Sequence, residues 1–256
     1  MSRAAPDLIR RLAGRAADLV WPRVCAVEGC GRVSDRPGRH ICSSCFASLP
    51  FHEAGGACRT CGALIAAKTS HEFTCEECRA HPPKYEFARS ALTYAEPADQ
   101  MLMDFKFRRA TWLCEDFTDL LEGLVRAKLP FHEIDVVAPV PLHPARERER
   151  GYNQSALLAR ALARRINRRA DCSSLVRTRN TQHQARLDEA SRRTNLRNAF
   201  DVPDARYVRG RVVLLIDDIM TTGSTLDQCA RPLLAAGAAR VWCATVARAV
   251  LRGPAA

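Results

Sequence analysis

Val212-Val213-Leu214-Leu215-Ile216-Asp217-Asp218-Ile219-Met220-Thr221-Thr222-Gly223-Ser224-Thr225 is the stretch that decides the fold. Its first five residues are apolar and partly β-branched, which predicts a buried strand. Two adjacent carboxylates close that strand. A small, hydroxyl-rich loop follows, and then Leu226, Ala230, Leu233 and Leu234 recur at helical spacing. A strand, a loop and a helix N-terminus together favour an anion. The first backbone N–H groups of a helix lack internal partners, and its dipole is positive there. The Thr and Ser hydroxyls add donors, and Gly223 lets the backbone come close. Phosphate alone does not explain Asp217 and Asp218, because carboxylates repel it. A sugar phosphate explains both halves. Its phosphate would occupy Thr221, Thr222, Gly223, Ser224 and Thr225. Asp217 and Asp218 would accept hydrogen bonds from sugar hydroxyls or help hold a hydrated Mg²⁺. The plainer alternative is a capped helix after a core strand, with two turn carboxylates. It leaves the hydroxyls clustered around Gly223 without a role.

The segment resembles the phosphoribosyl-diphosphate (PRPP) signature of type I phosphoribosyltransferases: four apolar residues, two acidic, two variable, then Thr-Thr-Gly-x-Thr. The resemblance implies that Asp217 and Asp218 face the ribose hydroxyls as the catalytic pair. It also implies that Thr221 to Thr225 hold the 5-phosphate and that Mg²⁺ arrives on the diphosphate.

The 256 residues suffice for one ordinary domain and a small one. The formal charge of +11 is unevenly placed: from Pro141 to Phe200 there are 14 Arg, no Lys and 5 acidic residues. Such a cluster suits a phosphate-rich partner, either a small diphosphate or a nucleic acid backbone. The competing reading is a solvated basic face. No run reaches the length of a membrane span, and no secretory signal is evident, so the expected location is cytoplasmic with no stable membrane insertion. Residues 1–24 carry Leu8, Ile9, Leu12, Ala16, Leu19 and Val20 at helical spacing, which predicts a terminal helix packed on its own domain.

Eight of the twelve cysteines fall between Cys25 and Cys78, as Cys25-x4-Cys30, Cys42-x2-Cys45, Cys58-x2-Cys61 and Cys75-x2-Cys78. A thiolate pair on one tight turn offers two ligands to one side of a metal, and a second pair closes the tetrahedron. Cys30-Gly31 leading to Cys42 and Cys45 is echoed by Cys61-Gly62 leading to Cys75 and Cys78. The simplest reading is two structural Zn²⁺ sites in series across residues 25–83, with interleaved pairing left open. Disulfides are the alternative, and a chain without a secretion signal keeps its thiols reduced. Cys114, Cys172, Cys229 and Cys243 stand alone and read as small buried residues.

After Pro82-Pro83, the pattern predicts a strand over Tyr85 to Tyr94, a short helix bearing Met101, Leu102, Phe105 and Phe107, and a helix from about Thr111 to Lys128. A strand over Ile134 to Val140 stops at Pro141. The loop beyond it carries Arg146, Arg148 and Arg150. Arg146 and Arg150 are placed to clamp a diphosphate by bidentate contacts, although alternating Arg and Glu also suits a self-neutralised turn. A helix with Leu157, Leu158, Ala161, Leu162 and Ile166 inward puts Arg160, Arg164 and Arg168 on one outward stripe. Arg177 to Asn198 is polar and aperiodic, and reads as a functional flap containing Gln184 and Arg192. Arg240 to Ala247 is the last strand. The alternation of strand and helix over residues 84–250 predicts an α/β fold, a parallel sheet flanked by helices with ligands at the strands' carboxyl ends. Pro232 predicts a kink in the final helix near Gln228.

Taken in order, the cysteine array, Tyr94 to Lys106-Phe107, Val140-Pro141 through Arg150-Gly151-Tyr152-Asn153-Gln154, the flap pattern and the PRPP signature resemble the ComF family, type I phosphoribosyltransferase-like proteins with an N-terminal zinc region. The resemblance implies a role in DNA uptake during natural transformation, with single-stranded DNA and DNA-uptake or recombination proteins as expected partners. It leaves open an active transferase that displaces diphosphate from PRPP with a base or amine.

Overall fold

A computed structural model of the chain describes residues 22–52, 56–64, 73–179 and 199–250. The N-terminal helix expected over residues 1–24 falls outside them except at its end, where Val24 forms a β-bridge with Val33 rather than a helical turn. Gln184 and Arg192 of the expected flap also lie outside the described residues.

The elements follow the chain as α1 (Ser43–Ala47), α2 (Glu76–Ala80), β1 (Phe87–Thr93), α3 (Ala98–Phe107), α4 (Cys114–Lys128), β2 (Val136–Pro139), α5 (Pro144–Arg150), α6 (Gln154–Arg165), β3 (Arg169–Ala170), β4 (Val176–Arg177), β5 (Phe200–Asp201), β6 (Val212–Met220), α7 (Ser224–Ala235) and β7 (Arg240–Arg248). Five strands make one sheet in the order β1-β7-β6-β2-β3, every pair parallel. β4 and β5 form a separate antiparallel pair at the base of the expected flap.

The period of two along β6 sorts its side chains onto two cores. Val212, Leu214 and Ile216 join Trp242, Phe105, Phe117 and Leu162 on one face. Val213 and Leu215 join Leu226, Cys229, Leu233 and Cys243 on the other. Each large side chain taken fully out of water, such as Trp242 or Phe117, stabilises the fold by about 1.5–3 kcal/mol.

Three expectations need correction. The strand predicted to end at Ile216 runs on to Met220, because β7 continues the ladder and pairs Asp217 with Thr245 and Met220 with Arg248. The Arg-rich loop after β2 is a seven-residue helix, α5. His143 caps it by accepting the Ala145 N–H at 3.2 Å, Pro144 pre-sets its first turn, and Gly151 ends it at φ 86°. Alternating Arg and Glu gives no apolar period, so the sequence pattern could not report it. Of the four lone cysteines, Cys229 and Cys243 are fully buried, whereas Cys114 and Cys172 are half-buried.

The cysteine-rich segment divides between the two faces of the sheet. Cys25, Cys42 and Cys45 pack into the core that holds Leu92, Phe105 and Phe117. Cys58, Cys61 and Cys78 pack into the opposite core with Tyr85, Val213 and Met220. Asp116, fully buried on α4, accepts the backbone N–H of His40 at 2.9 Å and of Ile41 at 3.2 Å, which fixes the first cysteine unit to the helix layer.

Candidate functional site

β6 ends in the middle of the sheet with neighbours on both sides, so its carboxyl end opens where crevices form in open parallel sheets. Asp217 and Asp218 occupy that end and point to opposite faces. Asp218 is buried, and a buried carboxylate needs partners. Lys106 Nζ lies 3.2 Å from its Oδ2, and Gln154 Nε2 donates to the same oxygen at 3.3 Å. The Ile219 N–H donates to Oδ1 at 2.9 Å. Asp217 accepts the Ser155 hydroxyl at 2.9 Å. Burial first, and then the adjacent Asp218 charge, push the Asp217 carboxyl up to about 7.

Three elements deliver these partners. α3 brings Lys106, and its C-terminal end is held by the Tyr152 hydroxyl, which donates to the Phe105 carbonyl. α6 brings Gln154 and Ser155 on its first turn. Asn153 caps that helix by accepting the Ser155 N–H at 2.9 Å and the Ala156 N–H at 3.3 Å, and its own amide donates to the Val140 carbonyl at 3.1 Å. The cap therefore sets Ser155 and Gln154 against the strand end.

Thr221, Thr222, Gly223, Ser224 and Thr225 form the turn from β6 into α7. Gly223 is the N-cap at φ 85°, and a Cβ there would meet Met220 Cε at 2.6 Å and the Tyr85 hydroxyl at 2.8 Å. Only glycine fits. The Thr222 and Ser224 hydroxyls bond to each other at 2.8 Å. Gly223 has no side chain to cap α7, and the Thr222 hydroxyl accepts the Ser224 N–H at 3.3 Å.

Arg150 extends the same network. Its Nη1 donates to Gln154 Oε1 at 2.6 Å, so Arg150, Gln154 and Asp218 form a chain. Its guanidinium lies 5.0 Å from the centre of the exposed Phe107 ring. Arg146 is close enough to act electrostatically on both Arg150 and Arg177. Lys106, Arg150 and Arg177 thus neighbour the two carboxylates, with Arg146 behind them. The sequence marks neither Ser155 nor Arg177 as a site residue, and it shows Lys106 and Gln154 only within stretches that resemble the family. Their contacts with the acid pair span separations of up to 112 residues, which no local pattern reports.

The eight cysteines gather as Cys25, Cys30, Cys42 and Cys45, and as Cys58, Cys61, Cys75 and Cys78, each set with its sulfurs within 4.8 Å of one another. The pairing is therefore serial, not interleaved. Cys30 and Cys42 Sγ stand 3.9 Å apart, and Cys61 and Cys75 Sγ 3.7 Å. A tetrahedron with Zn–S bonds of about 2.3 Å has an edge of about 3.8 Å, so both sets fit zinc. Backbone N–H groups of Cys42 and Cys75 point at Cys25 Sγ and Cys58 Sγ at 3.4 and 3.3 Å, as expected around thiolates. All four positions of each set are filled by cysteine, which makes these closed, structural sites.

Against known proteins, the model of the phosphoribosyl transferase domain matches residues 153–253, beginning at the cap of α6 and taking in the acid pair and the loop. The DNA utilization protein YhgH of Escherichia coli O6:H1 is 35% identical over 210 residues, 79% of this chain and 88% of its own. Competence protein F of Haemophilus influenzae is 30% identical over 82% of this chain and 90% of its own. The chain belongs to the ComF family. A third relative, competence protein ComFC of Bacillus subtilis, is 30% identical over 80% of this chain and 82% of its own. For this ComF-family chain, no described helix is long and apolar enough to cross a membrane.

Proposed function

We propose that the chain is a PRPP-binding protein of the ComF type that serves DNA uptake in natural transformation. The observation that carries this reading is the acid pair at the end of the central strand, with Asp218 buried, set beside the N-terminus of α7 and a glycine turn that tolerates no side chain. Thr221 to Thr225 take the 5-phosphate, and Asp217 and Asp218 take the ribose hydroxyls. Arg146 and Arg150 hold the diphosphate. Mg²⁺, if carried on the ligand's own oxygens, needs few protein ligands, which suits carboxylates already engaged by Ser155, Lys106 and Gln154. Each cysteine set holds one structural Zn²⁺. The chain works in the cytoplasm, with residues 25–83 as the zinc region and 84–250 as the phosphoribosyltransferase-like unit.

Single-stranded DNA is the expected second ligand, because Arg160 and Arg164 are exposed on α6. The third member of the stripe, Arg168, is partly engaged and donates to the His132 carbonyl at 3.1 Å.

A second reading, an active transferase, is favoured by Asp217. A carboxyl poised near 7 is matched to accept a proton from a nitrogen nucleophile as diphosphate leaves. Arg146 and Arg150 would stabilise the departing charge.

The test is thermal unfolding with Mg²⁺ and either PRPP, ribose 5-phosphate or diphosphate. The proposal expects PRPP to raise the midpoint most, since it alone fills all three subsites. Equal shifts by all three would reduce the site to a general anion pocket.

A further inference from the structure

Arg248 is the last residue of β7 and is only 4% exposed. A buried guanidinium must find acceptors. None of the ion pairs among the described residues includes it. Its Nη1 donates to the Cys61 carbonyl at 2.7 Å and lies 3.0 Å from Met220 Sδ, and its Nη2 reaches Cys61 Sγ at 3.5 Å. Four thiolates around a divalent metal carry a net charge of −2, so a loaded second cluster supplies the negative charge that this cation lacks elsewhere.

The same residues lead to the phosphate turn. Met220 ends β6, and its Cε bounds the space beside Gly223. The Tyr85 hydroxyl bounds it too, and Tyr85 is buried in one core with Cys58, Cys61 and Cys78. The cluster itself is held firmly. A Cβ on Gly62 would stand 2.9 Å from the Ala88 carbonyl oxygen, so the Cys61-Gly62 turn lies hard against β1. The Lys84 N–H, just past the cluster, donates to Asp227 Oδ1 at 2.7 Å on the first turn of α7. The first cluster has a different setting: its unit is tied to α4 through Asp116, on the opposite core.

We infer that the second cysteine cluster is the support of the Thr221–Thr225 turn, with Arg248 the positioning residue that couples them. Metal in this cluster therefore regulates the ligand affinity of the turn, whereas metal in the first serves packing of the helix layer. The inference rests on the PRPP reading above and deepens it.

The experiment uses the full chain as wild type, Arg248→Met and Arg248→Lys, with zinc equivalents, circular dichroism and PRPP calorimetry in Mg²⁺. The expected result is two zinc equivalents in each, PRPP affinity about tenfold weaker in Arg248→Met, and partial recovery in Arg248→Lys. Hydrogen exchange should quicken over residues 221–225 in Arg248→Met and stay unchanged over 114–128. Should Arg248→Met fail to fold, Met220→Leu applies the same test, since it conserves volume and deletes the sulfur. It should also weaken PRPP binding with zinc retained. A wild type that binds PRPP, with folded variants that bind it equally well, overturns this inference alone. A wild type that does not bind overturns it together with the PRPP reading.

Discussion

Lys106 and Asp218 stand 112 residues apart in the chain, and their charged atoms meet at 3.2 Å at the end of the central strand. One comes from α3 and the other from β6. The pair fixes where the helix layer closes over the site, and it gives a buried carboxylate a cationic partner. Lys106→Met should therefore leave Asp218 buried without its cation. The expected loss is on the order of 2 kcal/mol in urea unfolding, less than for a fully buried pair because Lys106 retains some contact with water. Lys106→Arg should lose less.

The Asp217 carboxyl is raised in the folded chain to about 7, against an ordinary value near 3.8. Between those values the folded state holds a proton that the unfolded state has given up. Ionising Asp217 thus costs stability progressively as pH rises from about 4 to about 7, and the cost is complete above that. A sugar ligand that needs the carboxylate should bind more tightly as pH rises through about 7. Calorimetry near pH 6.5 in buffers of different ionisation enthalpy should register proton release on binding. Asp217→Asn should abolish the release and flatten the pH profile.

Gly223→Ala places a Cβ 2.6 Å from Met220 Cε in a left-handed backbone conformation. Left-handed strain and overpacking together should cost about 2–4 kcal/mol, read from the denaturant midpoint. Gly123→Ala, whose added methyl meets nothing within 4 Å on the exposed side of α4, should change stability little or raise it.

Much of this arrangement is legible in the sequence, and the limits have physical causes. The burial of Val212 to Ile216, the helix after them and the parallel sheet follow from apolar patterning. The continuation of β6 through two carboxylates does not, because it depends on β7 supplying ladder partners as far as Arg248. The glycine turn was readable, but its reason was not, since Tyr85 and Met220 close on Gly223 from distant parts of the chain. The cysteine spacing announced two metal sets. Only the fold shows that they sit on opposite cores, where Cys45 meets the helix layer and Cys61 meets Arg248.

Zinc analysis should return two equivalents per chain. Cys45→Ser should leave one and lower the unfolding midpoint by several degrees, because the first set is part of the core that contains Phe105 and Phe117.

For single-stranded DNA, Arg160→Ala/Arg164→Ala should weaken binding across sequences alike. The slope of log K against log salt should fall by about 1.4, from two phosphate contacts at about 0.7 each. An unchanged slope would place the DNA elsewhere.

The central claim is that the acid pair and the glycine turn form one PRPP site. Calorimetry of the zinc-replete chain with PRPP and Mg²⁺, alongside Asp217→Asn/Asp218→Asn, tests it most directly. The account predicts micromolar binding by the wild type and its loss in the double variant at unchanged zinc content. Absence of binding by the folded wild type, or equal binding by both, would contradict it.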